Sequence, residues 1–174
     1  TDAEKVIYFK KQEKLLSKGI TKIKLENDHT INSKNITLLL DKNEISSNEN
    51  TTVSDLENNF YNKNKFRYLI KKKLFRGSEV VLTTNTGDEY IFKDAFINLE
   101  TKEIHGKDFE ANLTHSTFGN LNNEPRFKGN KVYSNDNITS ISKGAFTTCK
   151  KRENKNCPPW LVEAKEVEHN KNKK

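Results

Sequence analysis

The stretch LFRGSEVVLTTNTGDEYIFKDAFINLE, residues 74–100, decides the fold class. Val80 and Leu82 recur at a period of two, Thr86-Gly87-Asp88 supplies a turn, and Ile91, Ala95, Ile97 and Leu99 resume the period before Glu100-Thr101-Lys102 turns the chain again. That period sends successive side chains to opposite faces of a strand, whereas a helix repeats its apolar residues every three to four positions. The segment therefore reads as two antiparallel strands, each with one apolar and one charged face. The same pattern continues in both directions. Ile23 and Leu25 alternate with Lys22 and Lys24; Ile36, Leu38 and Leu40 keep the period; so do Val132, Ile138 and Ile141, then Val162, Ala164 and Val167. Asn27-Asp28, Asp41-Lys42-Asn43 and Ser134-Asn135-Asp136 are turn-formers between them. The one helical candidate, Leu56 to Leu69, carries Asn58, Asn59, Asn62 and Asn64, which are poor helix formers. Short strands at roughly 8–12-residue spacing with polar turns mean an all-β, antiparallel architecture.

A weak internal repeat underlies the pattern. Leu16-Ser17-Lys18-Gly19 opens a unit that runs to Ile45, Phe75-Arg76-Gly77 opens a second that runs to Ile104, and Arg126-Phe127-Lys128-Gly129 opens a shorter third. Each glycine precedes a strand and is expected to mark a turn or bulge. A β-solenoid or a stacked sheet sandwich would carry such units.

The 174 residues are 32% hydrophobic, with a mean hydropathy of -0.91. A chain of this mass would expose roughly 8,700 Å² when compact, but its apolar share is well below the usual ~45–50%. A thick two-sided core is therefore under-supplied. No run approaches the ~20 apolar residues of a membrane helix, and Thr1-Asp2-Ala3-Glu4-Lys5 does not resemble a signal peptide, so a soluble chain or a soluble piece of a larger one is expected. The net charge of +7 is spread out: Lys71-Lys72-Lys73 with Arg76, Lys150-Lys151-Arg152 and Lys171, Lys173, Lys174 are interleaved with acids or lie near boundaries. No aromatic-basic strand or recognition helix accompanies them, so a solvated surface is expected and nucleic acid is not. The 23 Asn fit a compositional bias, and the Asn-x-Thr triplets at Asn35, Asn50, Asn112 and Asn137 are read as its by-product.

Strands with one apolar face can enclose a thin apolar interior, and alternation alone leaves open whether that interior is a filled seam or an open groove. Chemistry offers little competition. His29, His105, His115 and His169 show no metal-binding spacing, Asp88-Glu89 falls in a turn, and no Ser/His/Asp order or glycine-rich phosphate loop is present. Cys149 and Cys157, the only cysteines, lack zinc spacing and a His partner for nucleophilic work. No catalytic residue, metal or cofactor is expected.

Two segments carry a family resemblance. Ala3-Glu4-Lys5-Val6-Ile7-Tyr8-Phe9 with Lys14-Leu15-Leu16-Ser17-Lys18-Gly19-Ile20 resembles the repeat of OstA-like (organic-solvent-tolerance) domains. Gly144-Ala145-Phe146-Thr147-Thr148-Cys149, Cys157-Pro158-Pro159-Trp160 and Ala164-Lys165-Glu166-Val167-Glu168-His169-Asn170-Lys171 resemble the segment that joins the periplasmic domain of the lipopolysaccharide-assembly outer-membrane (LptD) family to its β-barrel.

The resemblance implies an open OstA-like β-jellyroll over residues 1–148 and a Cys-containing linker and strand over 149–174, leading to a β-barrel that this sequence does not include. It further implies a periplasmic location and an apolar groove that receives lipopolysaccharide from a homologous bridge protein and delivers it to the barrel with its lipoprotein plug. Lipid-binding positions are then Ile23, Leu25, Ile36, Leu38, Leu40, Val80, Leu82, Ile97 and Leu99, facing inward. Exposing a dozen methylenes costs on the order of 10 kcal/mol at ~0.8 each, so such transfer needs a continuous apolar path. The first strand, Glu4, Lys5, Val6, Ile7, Tyr8 and Phe9, is expected to be the edge that docks the bridge protein by extending the sheet. In the family the cysteine after Phe-Thr-Thr bonds to the barrel's C-terminal region. Without the barrel, a Cys149–Cys157 disulfide is expected, prompted by proximity and the turn-formers Asn154 and Pro158, and contributing roughly 2.5 kcal/mol by loop closure. Trp160, after two prolines, caps an apolar end or meets lipid near the barrel. Two other readings stay open: a free-standing bridge protein of the same pathway, and a structural β-repeat domain with a packed core and no ligand.

Overall fold

The structure, a computed structural model, describes residues 2–26, 28–55, 60–63, 65–115, 122–150 and 159–172. Strands β1 (Asp2–Phe9) and β2 (Lys14–Lys24) are followed by three pairs of short ones: β3 (Thr30–Lys34) and β4 (Thr37–Leu39), β5 (Glu44–Ser47) and β6 (Thr51–Ser54), β7 (Phe60–Lys63) and β8 (Lys65–Leu69). Six long strands complete the chain: β9 (Leu74–Thr83), β10 (Glu89–Asn98), β11 (Ile104–Asn112), β12 (Arg126–Ser134), β13 (Ile138–Thr147) and β14 (Val162–Asn170). All the pairings among them are antiparallel, and all join one 14-stranded sheet that is not closed into a barrel. The sheet is a plain meander. Each short pair acts as one long strand broken in the middle: β2 pairs both β3 and β4, β9 pairs both β7 and β8, and β5 and β6 pair β8 and β7.

The breaks line up. Gly19 in β2 lies at φ +80 opposite Asn35 (φ 51), where β3 gives way to β4, and Glu79 (φ 53), Asp108 (φ 47) and Lys143 (φ 50) interrupt β9, β11 and β13. The register runs from Val80↔Phe92 to Ser78↔Asp94, from Phe92↔Phe109 to Asp94↔Lys107, and from Ser142↔Glu166 to Gly144↔Ala164, so each interruption faces the gap in its neighbour. The result is a transverse crease. The register is unchanged across these three breaks, so no residue is inserted; one residue in each strand drops out of the alternation, which bends the strand and shifts its side-chain phase by one. Phe75 is buried before the break in β9, and Val80 and Leu82 after it; Ala95 and Ile97 in β10 face Phe92 across a similar shift. One sheet is thereby folded into two leaves, with its apolar face inside on both. One leaf holds β3, β6, β7 and the ends of the long strands near the Thr84–Asp88 turn. The other holds β4, β5, β8 and the ends near the β10–β11 and β12–β13 turns.

This arrangement sharpens several expectations. Ile36, Val80, Leu82, Ile97 and Leu99 are buried, and Ile23, Leu25 and Leu38 pack against the core. Leu40 is not inward: it sits in the β4–β5 turn at 41% exposure, because the period ends where the strand does. Ile91 is likewise out of phase, and Phe92 takes the interior position, since the crease falls between it and Ala95. The repeat is also shifted. Two three-residue 3-10 turns, Lys10–Gln12 and Ile70–Lys72, each end on a left-handed residue, Glu13 and Lys73, so the left-handed residue equivalent to Gly19 is Glu79, and Gly77 is not its counterpart.

The interior changes character along the sheet. In the N-terminal half it is filled: Ile31, Val53, Phe66, Phe75, Val80 and Ile97 are nearly or fully buried, and Phe66 stacks on Phe75 at 5.4 Å. Hydroxyls close the crease there. Ile36 N–H donates to Ser17 Oγ at 2.9 Å, Ser47 Oγ donates to the Lys34 carbonyl at 2.7 Å, and Ser33 and Thr51 share a hydrogen bond of 2.7 Å. They satisfy backbone groups that the broken ladders leave over, which is what burial of polar groups demands. The whole chain exposes 11,412 Å², against the roughly 8,700 Å² of a compact protein of its mass. The outer face is polar, with cross-strand pairs such as Lys128–Glu110 at 3.0 Å and Lys93–Asp108 at 3.6 Å, which contribute little to stability at their exposure. Among the described residues no helix is long and apolar enough to cross a membrane.

Candidate functional site

In the C-terminal half the two leaves do not meet fully, and a cavity of about 810 Å³ remains between them. The volume lies within the ~300–1,000 Å³ of sites that enclose small ligands. Its first wall is aromatic. Tyr90 and Phe92 flank Phe109 at 6.3 and 5.4 Å, and Phe127 stacks on Phe146 at 4.4 Å, which in turn meets Trp160 edge-on at 6.0 Å. The opposite wall is aliphatic, made by Ile104, Val132 and Ile141 of the other leaf. At the apex the leaves converge on glycine: a Cβ on Gly106 would lie 2.3 Å from Phe92 Cδ1 and 2.9 Å from Val132 Cγ1. No side chain fits there, so the crease can close tightly while the mouth stays wide.

The rim is polar and asymmetric. On the aromatic leaf, Asp88 sits in the Thr84–Asp88 turn, where its carboxylate accepts the Thr114 N–H at 2.7 Å. On the aliphatic leaf, Ser134 and Thr139 share a hydrogen bond of 2.8 Å, and Lys171 Nζ donates to Ser134 Oγ at 3.0 Å and to the Asn135 carbonyl. His169 lines the same rim. Partial burial holds the Lys171 ammonium below the usual lysine range, opposed by the Asp136 carboxylate. Burial pushes the Tyr90 phenol up, with Asp88 adding to the shift, so Tyr90 is a neutral, hydrogen-bonding part of the wall at physiological pH. Nothing here is arranged as a nucleophile and base, and among the described residues no three His, Cys, Asp or Glu side chains gather as a metal site would need.

No family model and no curated protein matches the chain.

Of the sequence-predicted lining positions, Leu82 reaches the cavity, whereas Ile36, Val80, Ile97 and Leu99 belong to the packed interior and Ile23, Leu25 and Leu38 lie against it. Sequence reasoning missed the residues that line it above all, Tyr90, Phe92, Phe109, Phe127 and Phe146; Phe109 and Phe127 sit between charged neighbours, whereas Tyr90 and Phe92 adjoin Ile91 and Phe146 adjoins Ala145. Glu4, Lys5, Val6, Ile7, Tyr8 and Phe9 all fall in β1, which pairs only β2 and so is an edge strand. Val6 and Tyr8 are more than half exposed, beside Ile20 at 62%. Gly19 and Ile20 together face Glu4, so the bulge lies in β2, and the Glu4 carboxylate accepts the Ile20 N–H at 3.2 Å. At the far end β14 is the other edge, with Trp160, Leu161 and Val162 exposed beside it. The backbone of Cys149 is held by Thr147 Oγ1 at 3.2 Å and by Arg126; its expected disulfide partner, Cys157, lies outside the described residues. The other expectation there, a capping Trp160, is met in part: its ring packs on Phe146 while 44% of the residue stays exposed, and its carbonyl accepts the Thr147 hydroxyl at 2.9 Å.

Proposed function

We propose that this chain is a periplasmic module of an outer-membrane lipopolysaccharide-assembly protein, which receives lipopolysaccharide from a homologous bridge protein and passes it to a β-barrel. The observation that carries the reading is the cavity walled by both leaves of an open sheet, apolar on each side and wide enough for acyl chains. The resemblance of the Phe-Thr-Thr-Cys and Cys-Pro-Pro-Trp segments to the LptD family supports the same reading, as do the two free edges, where a partner can add a strand on one side and a barrel with its plug can follow on the other. Lipid transport needs no catalytic group.

A photo-crosslinking side chain at Leu82, on the cavity wall, is expected to trap lipopolysaccharide in cells, while one at Leu38, in the filled half, traps little. Absence of any adduct at Leu82 and at Phe109 together would overturn the reading. The packed N-terminal half favours the second reading, a structural β-repeat without ligand, and that reading expects no adduct at any of the three positions.

Docking through β1 is tested by proline. Along a strand successive N–H groups point to opposite sides, so of Ile7 and Tyr8 one donates toward β2 and the other outward. Of Ile7→Pro and Tyr8→Pro, the variant that removes the outward N–H is expected to lose binding to the bridge protein with its circular dichroism unchanged. If both variants bind as the parent does while folded, docking through this edge is wrong.

A further inference from the structure

We propose that Lys171, with His169, forms an anionic headgroup subsite at the mouth of the cavity, so that the site selects amphiphiles bearing a phosphate over neutral ones of equal chain length. The inference rests on the reading of the cavity as a lipid site and adds which end of the lipid it recognises, and by what.

Among the described residues, three ionisable side chains apart from Tyr90 line the cavity: Asp88, His169 and Lys171. They are separated by leaf. Asp88 belongs to the aromatic leaf, and its two oxygens are committed, one to the Thr114 N–H at 2.7 Å and the other to Thr86 Oγ1 at 3.3 Å. Lys171 and His169 belong to the aliphatic leaf, at the end of β14 and beside the β12–β13 turn. The lysine's charge therefore lies on one side of the rim only.

The lysine is also held in place. Two of its three N–H groups go to Ser134 Oγ and the Asn135 carbonyl, and both acceptors are neutral, so its charge is not cancelled by a direct ion pair. The nearest acid acting on it is Asp136 in the adjoining turn. The third N–H is available for a ligand oxygen. Ile141 and Val132 of the same leaf line the cavity, and their apolar surface would take the first methylenes after the headgroup. A positioned ammonium above an apolar wall recognises an anion joined to a hydrocarbon chain. Charge-assisted hydrogen bonds are shorter and about twice as strong as neutral ones, and near a partly dehydrated rim they are less screened than on an open surface.

Calorimetric titration of the folded protein with dodecyl phosphate, dodecan-1-ol and inorganic phosphate, below micellar concentrations, tests the proposal. Dodecyl phosphate is expected to bind about tenfold more tightly than the alcohol. Lys171→Gln should erase that difference while keeping the alcohol's affinity, and Lys171→Arg should largely retain it. Equal affinity of the parent for both chains, or a preference that survives Lys171→Gln, overturns the subsite and leaves the lipid reading of the cavity standing. Inorganic phosphate binding as tightly as dodecyl phosphate also overturns it, since the site would then be an ion site unconnected to the cavity. Failure of both chains to bind overturns the subsite and the lipid reading together.

Discussion

Phe75→Ala is expected to destabilise the fold by about 3–5 kcal/mol, read as a fall in the urea midpoint at constant slope. Phe75 is 1% exposed, in the part of β9 that precedes the break at Glu79, and its ring stacks on Phe66 at 5.4 Å with an interplanar angle of 13°. β9 is the strand on which the two halves of the molecule depend: it pairs β10 on one side and both β7 and β8 on the other. Truncation leaves a cavity whose lining cannot collapse, because the backbone on each side is fixed by ladders and the facing residues, Ile97 and Tyr68, are themselves fully packed. A loss of that size is a large part of the ~5–15 kcal/mol that holds a domain together. A loss below about 1 kcal/mol would mean that the N-terminal half is already loosely packed. That outcome would also weaken the contrast between a filled and an open half, on which the placement of the lipid site at Leu82 and not Leu38 depends.

The contrast bears on what could be read from residues alone. The period of two was legible wherever a strand ran uninterrupted: Val80 with Leu82, Ile97 with Leu99 and Ile36 with Leu38 all face inward or pack on the core. Pairing of neighbours in order was legible from the short polar turns, several of which recur as left-handed residues at Asn43 and Lys102. The crease was not. Its left-handed residues are Asn35, Glu79, Asp108 and Lys143, and although Asn and Asp tolerate positive φ more readily than most residues, Glu and Lys carry no such mark. The crease also reverses which phase is apolar, so a pattern extended across it, as from Ala95 back to Ile91, selects the wrong face. Visible traces are in β13 and β14, where Ile138 and Ile141, and Ala164 and Val167, are separated by odd steps. The cavity wall was hidden for the same reason. Phe92 and Phe109 fall on the interior only once the phase shift beside them is counted. The filled and open halves differ, finally, by what sits at the crease: hydroxyls at Ser17, Ser33 and Thr51, against glycine at Gly106, Gly129 and Gly144. Serine and glycine at these positions read in sequence as ordinary strand or turn residues.

Gly106→Val follows from that difference and should act on stability and on the cavity at once. The added Cβ would lie 2.3 Å from Phe92 Cδ1 and 2.9 Å from both Phe92 Cε1 and Val132 Cγ1, closer than packed atoms approach. Phe92 belongs to one leaf and Val132 to the other, at 2% and 5% exposure, so neither can turn aside into solvent. The leaves must part at their apex. Overpacking of this kind costs about 1–3 kcal/mol, and a valine carries two further methyl groups toward the same contact. Gly87→Ala is the control. Its φ of +88 imposes the left-handed penalty of about 1–2 kcal/mol, but the new Cβ would meet only Thr114 Cγ2 at 3.4 Å, an ordinary contact in an exposed turn. Both variants should therefore lose stability, while only Gly106→Val should change crosslinking from Leu82 and the affinity for dodecan-1-ol, because only it moves one wall of the cavity against the other. Equal effects of the two on ligand binding would mean that global loosening, and not the width set at the crease, governs access to the site.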